Sequence, residues 1–283
     1  MTLLYKAAKK PDFWYALRPV LQPADFELLW LNPDWAAIAE HPPAANWQKE
    51  TQADRVQMLR RLRFEQPEQA TSWLTTCWEG LTPTEKKELI SILDTGLNAS
   101  DQPFLEAQLS DSRKEVRQSA AQLLLKIPDT PLQDTLYKEA ATWLTLHKDG
   151  RLDLHAPPKP ISAFKKLGLY SSKKHKYTGG ERAGYAYDIL SKVPPKRWEA
   201  YFRKSTLDAL RLFARANQHQ LLTDAIANAA LLHQDHRWIE ALLRHWWRTD
   251  NEVRWNSALG KQLMAALPDP LFNEIMSQHL KQH

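Results

Sequence analysis

The stretch from Phe104 to Leu132, FLEAQLSDSRKEVRQSAAQLLLKIPDTPL, constrains this chain more than any other. Phe104, Leu105 and Leu109 make an apolar stripe on a first short helix. Asp111 falls in the tight connection that follows. Val116, Ala120, Leu123, Leu124 and Ile127 then recur at offsets 0, 4, 7, 8 and 11, the spacing of one buried helix face. Pro128 stops that second helix, because an interior proline removes a backbone donor and clashes with the preceding turn. The expectation is an antiparallel pair over 102–110 and 113–127, with Val116, Ala120, Leu124 and Ile127 buried. Two helices of this size cannot bury their apolar faces alone, so they must pack on neighbours.

The rest of the chain supplies such neighbours. Leu and Ala number 42 and 33, whereas Val, favoured in strands, occurs 5 times in 283 residues. Short helices are expected at 12–18, 24–31 and 34–40, broken by prolines. Regular helical order follows over 53–64, 67–78, 84–97 and 131–146, and returns at 183–192, 196–203, 205–216, 219–233, 236–248, 252–267 and 270–280. Thr82-Pro83-Thr84-Glu85 reads as a helix start, with Thr82 as N-cap and Glu85 reaching back. Trp238, Leu242 and Trp246 share one face, as do Leu222, Ile226 and Ala229. The fold class is therefore all-α, with more than half the residues helical and no sheet beyond a stray hairpin.

Residues 147–184 interrupt the pattern. They hold Pro157, Pro158, Pro160 and five of the eight glycines. The chain thus reads as an N-terminal helical arm, 1–146, an irregular basic connection, 147–184, and a C-terminal helical arm, 185–283. Asp250, Val253 and Arg254 loosely repeat Asp111, Val116 and Arg117, and Leu267-Pro268-Asp269 repeats Ile127-Pro128-Asp129.

The order of an apolar helix, Asp, Val-Arg and a small-and-apolar second helix resembles a HEAT repeat, and implies an α-solenoid of stacked hairpins. The longer run LRFEQPEQATSWLTTCWEGLTPTEKKELISILDTGLNASDQPFLEAQLSDSRKEVRQSAAQLLLKIPDTPL resembles a bacterial family of uncharacterised HEAT-like proteins. WIEALLRHWW and SKVPPKRW are similar to the same family. Its members are typically encoded beside MoxR-type AAA+ ATPases, von Willebrand A-domain proteins and SWIM zinc-finger proteins. The resemblance implies a scaffold or adaptor for a protein partner in an ATPase system. It carries no catalytic residues over.

Charge is concentrated in the middle of the chain. Between Lys159 and Arg182 lie seven basic residues, Lys159, Lys165, Lys166, Lys173, Lys174, Lys176 and Arg182, against one acid, Glu181. The whole chain carries only +5, so the positive charge is local. Phe164, Tyr170 and Tyr177 are interleaved, a composition that suits phosphate contacts with stacking. An acidic protein partner, a nucleic acid or a merely solvated loop would all read this way.

A second candidate is HWWRTDNEVRW, residues 245–255. Trp246 and Asp250 can share a helix face near Trp255. A HEAT-like family of alkylpurine DNA glycosylases uses an aromatic cleft with an Asp, where a carboxylate beside stacking surfaces can steady a cationic sugar. The plainer reading makes Asp250 a turn residue and Trp246 a seam residue. Asp111 and Arg117 are expected to be structural, with Asp111 accepting backbone N–H groups where the second helix starts.

His233 and His236 form an HxxH pair near His219 and His245, without a second ligand pair, and Cys77 stands alone. No metal site or cofactor follows. No P-loop, nucleophile elbow, dinucleotide motif or paired-acid motif occurs, so nothing argues positively for an enzyme. No run of 18 apolar residues is present, and the N-terminus lacks the pattern of a signal peptide, which points to a cytoplasmic protein.

Overall fold

The structure is a computed structural model that describes residues 51–171, 177–249 and 252–280. The short helices expected before residue 51 lie outside the described residues. Helices make up most of the described chain, which divides into two compact units, one ending at Ala107 and the other beginning at Gln108.

In the first unit α1 (Gln52–Glu65) packs against α2 (Pro67–Cys77) and α3 (Pro83–Ile92). The helix α4 (Gln102–Gln108) closes it. Thr82 caps α3 as expected. Its hydroxyl accepts the Glu85 N–H at 3.3 Å, and Glu85 Oε2 accepts the Thr82 N–H at 2.8 Å. The helix is shorter than the expected 84–97. It ends at Ile92, and Leu93 follows in a turn whose carbonyl accepts a buried arginine.

The second unit opens with α5 (Lys114–Lys126), whose Val116, Ala120, Leu123 and Leu124 are buried, as is Ile127 just beyond its end. Gln133, buried at the start of α6 (Pro131–Thr142), donates through Nε2 to the Leu125 and Ile127 carbonyls, both at 2.8 Å. Those are carbonyls that the end of a helix leaves without partners. Thr130 is the N-cap of α6 and Pro131 its first residue.

The expected helix 131–146 stops at Thr142. Leu144–Leu146 (β1) turns through Asp149-Gly150 into Leu152–Leu154 (β2), an antiparallel pair with Leu144 opposite Leu154. The alternation of Leu with polar residues around Asp-Gly is a hairpin signal, and it overrides the helical propensity of Leu.

Among the described residues, seven helices follow the hairpin in turn: α7 (Ser162–Lys166), α8 (Gly180–Leu190), α9 (Lys196–Phe202), α10 (Thr206–Ala214), α11 (His219–Leu232), α12 (His236–Arg248) and α13 (Glu252–Trp255). Two more, α14 (Ala258–Ala265) and α15 (Asp269–Leu280), follow where one helix over 252–267 and another over 270–280 were expected. Ser257 breaks the first by capping α14 through the Gly260 N–H. The helix α11 is apolar on nearly every side and touches α8, α10, α12 and α14. No described helix is long and apolar enough to cross a membrane.

Candidate functional site

The described residues of the middle segment hold β2, the short helix α7 and the start of α8. Phe164 and Leu169 are 4% and 2% exposed, so α7 is held down by its own apolar residues against α5. Gly168 has φ +67°, and a Cβ there would overlap the Gln118 side chain of α5. Only glycine meets both conditions. Lys165 and Lys166 project into solvent from α7, as does Lys159 just before it. Lys173, Lys174 and Lys176 lie outside the described residues.

The aromatic residues of this segment face inward. The Tyr170 hydroxyl accepts the Ile161 N–H at 3.0 Å, and the Tyr170 ring meets Tyr185 edge-on at 5.7 Å. The Tyr177 hydroxyl donates to Asp224 Oδ2 at 3.0 Å, and its ring lies 5.2 Å from Tyr187. Burial pushes both the Tyr177 and Tyr187 phenols up, so both stay protonated at neutral pH. Ser171, on the other side of the lysine run, donates its N–H to Asp188 Oδ2 at 2.8 Å. The two described ends of the run are therefore fastened beside neighbouring residues of α8. Arg182 is exposed, but its guanidinium donates to the Ala156 carbonyl at 3.0 Å and ties α8 to the segment after β2.

Tyr177 also brings the basic segment and the tryptophan region together. Its partner Asp224, on α11, pairs with Arg254 of α13, and Arg254 lies 5.6 Å over the Trp246 ring. Trp246 is only 3% exposed and belongs to the buried stripe of α12 with Trp238 and Leu242. Its ring offers no open stacking surface. Trp255 is half-buried, and Asp250 lies outside the described residues. Burial lowers the Arg254 pKa, offset by Tyr177. The Tyr177–Asp224–Arg254 set spans the connection before α8 and the helices α11 and α13, with no common motif, so nothing in the sequence could have announced it.

Asp111 Oδ1 accepts the Arg113 N–H at 2.8 Å, just before α5 begins. Arg117 donates to the Asp111 and Ser112 carbonyls at 2.7 and 2.9 Å. Both side chains thus organise the turn that leads into α5, and Arg117 bonds backbone rather than the Asp111 carboxylate.

The histidines do not converge. His233 Nε2 bonds the Lys192 carbonyl at 2.9 Å, and burial lowers its pKa, so the ring is neutral and donates that proton. Lys192 is lowered in the same way, with its ammonium on the Asp188 carbonyl at 2.5 Å. Among the described residues, no group of three or more His, Cys, Asp or Glu is placed to hold a metal ion.

The most thoroughly bonded buried charge lies in the first unit and was not anticipated. Arg63 and Asp101 are both 0% exposed and pair through two bonds of 2.8 Å. The Arg63 guanidinium also reaches the Leu93, Thr95 and Pro67 carbonyls and Thr71. Every donor is satisfied, and the pair ties α1, α2 and the turns after α3 into one body. It is a structural staple with no open valence for a ligand.

No curated protein and no solved structure matches the chain. A family model does match it over residues 1–283, and the protein belongs to that family of unknown function, DUF5691.

Proposed function

We propose that this protein is a non-enzymatic helical scaffold that holds an acidic protein partner against its basic middle segment. The observation that carries this reading is a division of labour within the segment. Phe164, Tyr170 and Tyr177 are committed to internal contacts, while Lys159, Lys165 and Lys166 stand exposed. A nucleic-acid surface would keep aromatic faces free for bases. A protein partner needs only the charge. The burial of Trp246 weakens the DNA-repair alternative further.

The neighbours of the second unit support a HEAT-like stack. The helix α10 packs on α11, and α12 on α14, as the hairpins of such a stack would. In this reading α10 and α12 form one layer, and α8, α11 and α14 the other. An adaptor role in a cytoplasmic AAA+ ATPase system follows from the resemblance described above and belongs to the same proposal.

The test compares wild type with a variant carrying Gln at Lys159, Lys165, Lys166, Lys173, Lys174 and Lys176. Affinity capture from the native host at low salt, read by mass spectrometry, should recover an acidic partner with wild type alone. Anisotropy titrations with short duplex and single-stranded probes form the second arm. Tight, salt-sensitive probe binding that the substitutions abolish would replace the protein-partner reading with the nucleic-acid one.

A further inference from the structure

The β1–β2 hairpin has two outer edges, and they are treated differently. His155 donates its N–H to the Trp143 carbonyl, and His147 donates to that of Arg151. By alternation, Thr145 and Asp153 are the hydrogen-bonded pair between them, so the N–H and C=O groups of Leu144, Leu146, Leu152 and Leu154 point outward. On the β2 side these groups are taken. Asn217 donates its N–H to the Leu152 carbonyl at 3.3 Å and accepts the Leu154 N–H through Oδ1 at 3.0 Å. That asparagine behaves like one residue of a third strand.

The β1 side has no such closure. The Tyr201 hydroxyl reaches the Leu144 carbonyl at 3.2 Å and shares its proton with Ala141 at 3.3 Å. The N–H and C=O of Leu146 have no hydrogen-bond partner among the described residues. Leu146 is 40% exposed although its cross-strand partner Leu152 is 1% exposed. Tyr201, beside the same edge, is 37% exposed. With Leu207 they are the exposed large hydrophobic residues of the described chain. An open edge beside exposed apolar side chains is a template for another extended chain unless charge or bulk blocks it.

The flanking charge says what kind of chain fits. Lys148 is exposed in the turn after β1, and Arg203 and Lys204 are exposed in the connection after Tyr201. None of the three makes an ion pair among the described residues. Of the nearby acids, Asp149 accepts the Arg151 N–H, Asp153 pairs with His147 and Arg151, and Asp208 pairs with Arg211. We propose that the outer edge of β1 is a strand-addition site for an extended, acidic peptide segment of a partner protein, which pairs with the Leu146 backbone and rests apolar side chains on Leu146 and Tyr201. This mode takes affinity from main-chain bonds and selectivity from the flanking side chains. It does not depend on the basic middle segment.

The test uses fluorescein-labelled nine-residue peptides titrated by anisotropy into the full chain. The main probe alternates Glu and Val. A second has the same sequence with a methylated nitrogen at the central pairing position, and a third alternates Lys and Val. The Glu–Val peptide should bind. The methylated peptide should bind about tenfold more weakly or worse, because it loses a backbone donor and gains a clash. The Lys–Val peptide should not bind. Leu146→Pro removes the N–H that the incoming strand needs and should lower binding of the Glu–Val peptide to the level of the methylated probe. With Gln at Lys165 and Lys166, the unmethylated Glu–Val peptide should still bind about tenfold more tightly than the methylated one, because that difference is set at the strand edge. Equal binding of methylated and unmethylated Glu–Val probes to wild type would overturn the proposal whether or not Leu146→Pro folds, and so would no binding at low salt. Loss of that difference with the Lys165 and Lys166 substitutions would also overturn it, by moving the contact to the middle segment.

Discussion

Arg63 shows what a single buried charge costs and returns. Taking a guanidinium out of water is expensive, and only a complete set of partners offsets that cost. Asp101 supplies two of them, and carbonyls from α2 and from the turn after α3 supply others. Asp101→Ala should therefore destabilise the first unit by about 3–5 kcal/mol, because it leaves Arg63 buried and unpaired. Urea unfolding read by tryptophan fluorescence checks this, and a loss below about 1 kcal/mol would deny the staple role. Glu85 links stability to pH. Burial alone would raise its pKa, but bonds from Thr82 and the nearby Arg55 outweigh it, and the carboxyl sits below its ordinary value of 4.5. A lowered folded pKa contributes stability that is present above the unfolded value and lost as pH falls through the folded one. Wild type should lose stability below about pH 4.5 more steeply than Glu85→Gln does, as followed by thermal melts across that range.

At the scale of elements, α5 and α7 depend on different kinds of constraint. The helix α5 is held by its apolar stripe. Leu124, fully buried, should cost roughly 2–5 kcal/mol when replaced by alanine, measured by chemical denaturation. The helix α7 has five residues and cannot persist on its own account. Its position rests on Phe164, Leu169 and the close approach of Gly168 to Gln118. Gly168→Ala adds a left-handed non-glycine residue, worth on the order of 1–2 kcal/mol, and a clash besides. It should lower the melting temperature, and adding Gln118→Ala should recover only the part due to the clash. Full recovery in the double variant would show that the backbone conformation carries no cost.

For the whole molecule, the separation of stability from surface charge is the point to test. Lys165 and Lys166 are exposed and carry no ion pair among the described residues. Changing Lys165, Lys166, Lys173, Lys174 and Lys176 together to Gln should leave the melting temperature nearly unchanged, because exposed charges away from buried networks contribute little. A fall of many degrees in a calorimetric scan would mean that the basic segment supports the fold, and the scaffold reading would lose its binding surface.

Local chemistry determined much of this protein. The stripe Val116–Ile127, the stop at Pro128 and the cap at Thr82 act within one or two helical turns, so residue order suffices to specify them. The family resemblance and the all-α class follow from the same local patterns repeated along the chain. What the sequence could not specify is which distant side chains meet. Arg63 and Asp101 are 38 residues apart, and Tyr177 and Asp224 are 47 apart. No period or motif links them. Their partnership exists only once packing has excluded water and made an unpaired charge or hydroxyl costly. Trp246 illustrates the same limit in reverse. Its neighbours in sequence allow either a cleft or a core position, and tertiary packing chose the core because α12 turns Trp238, Leu242 and Trp246 inward together.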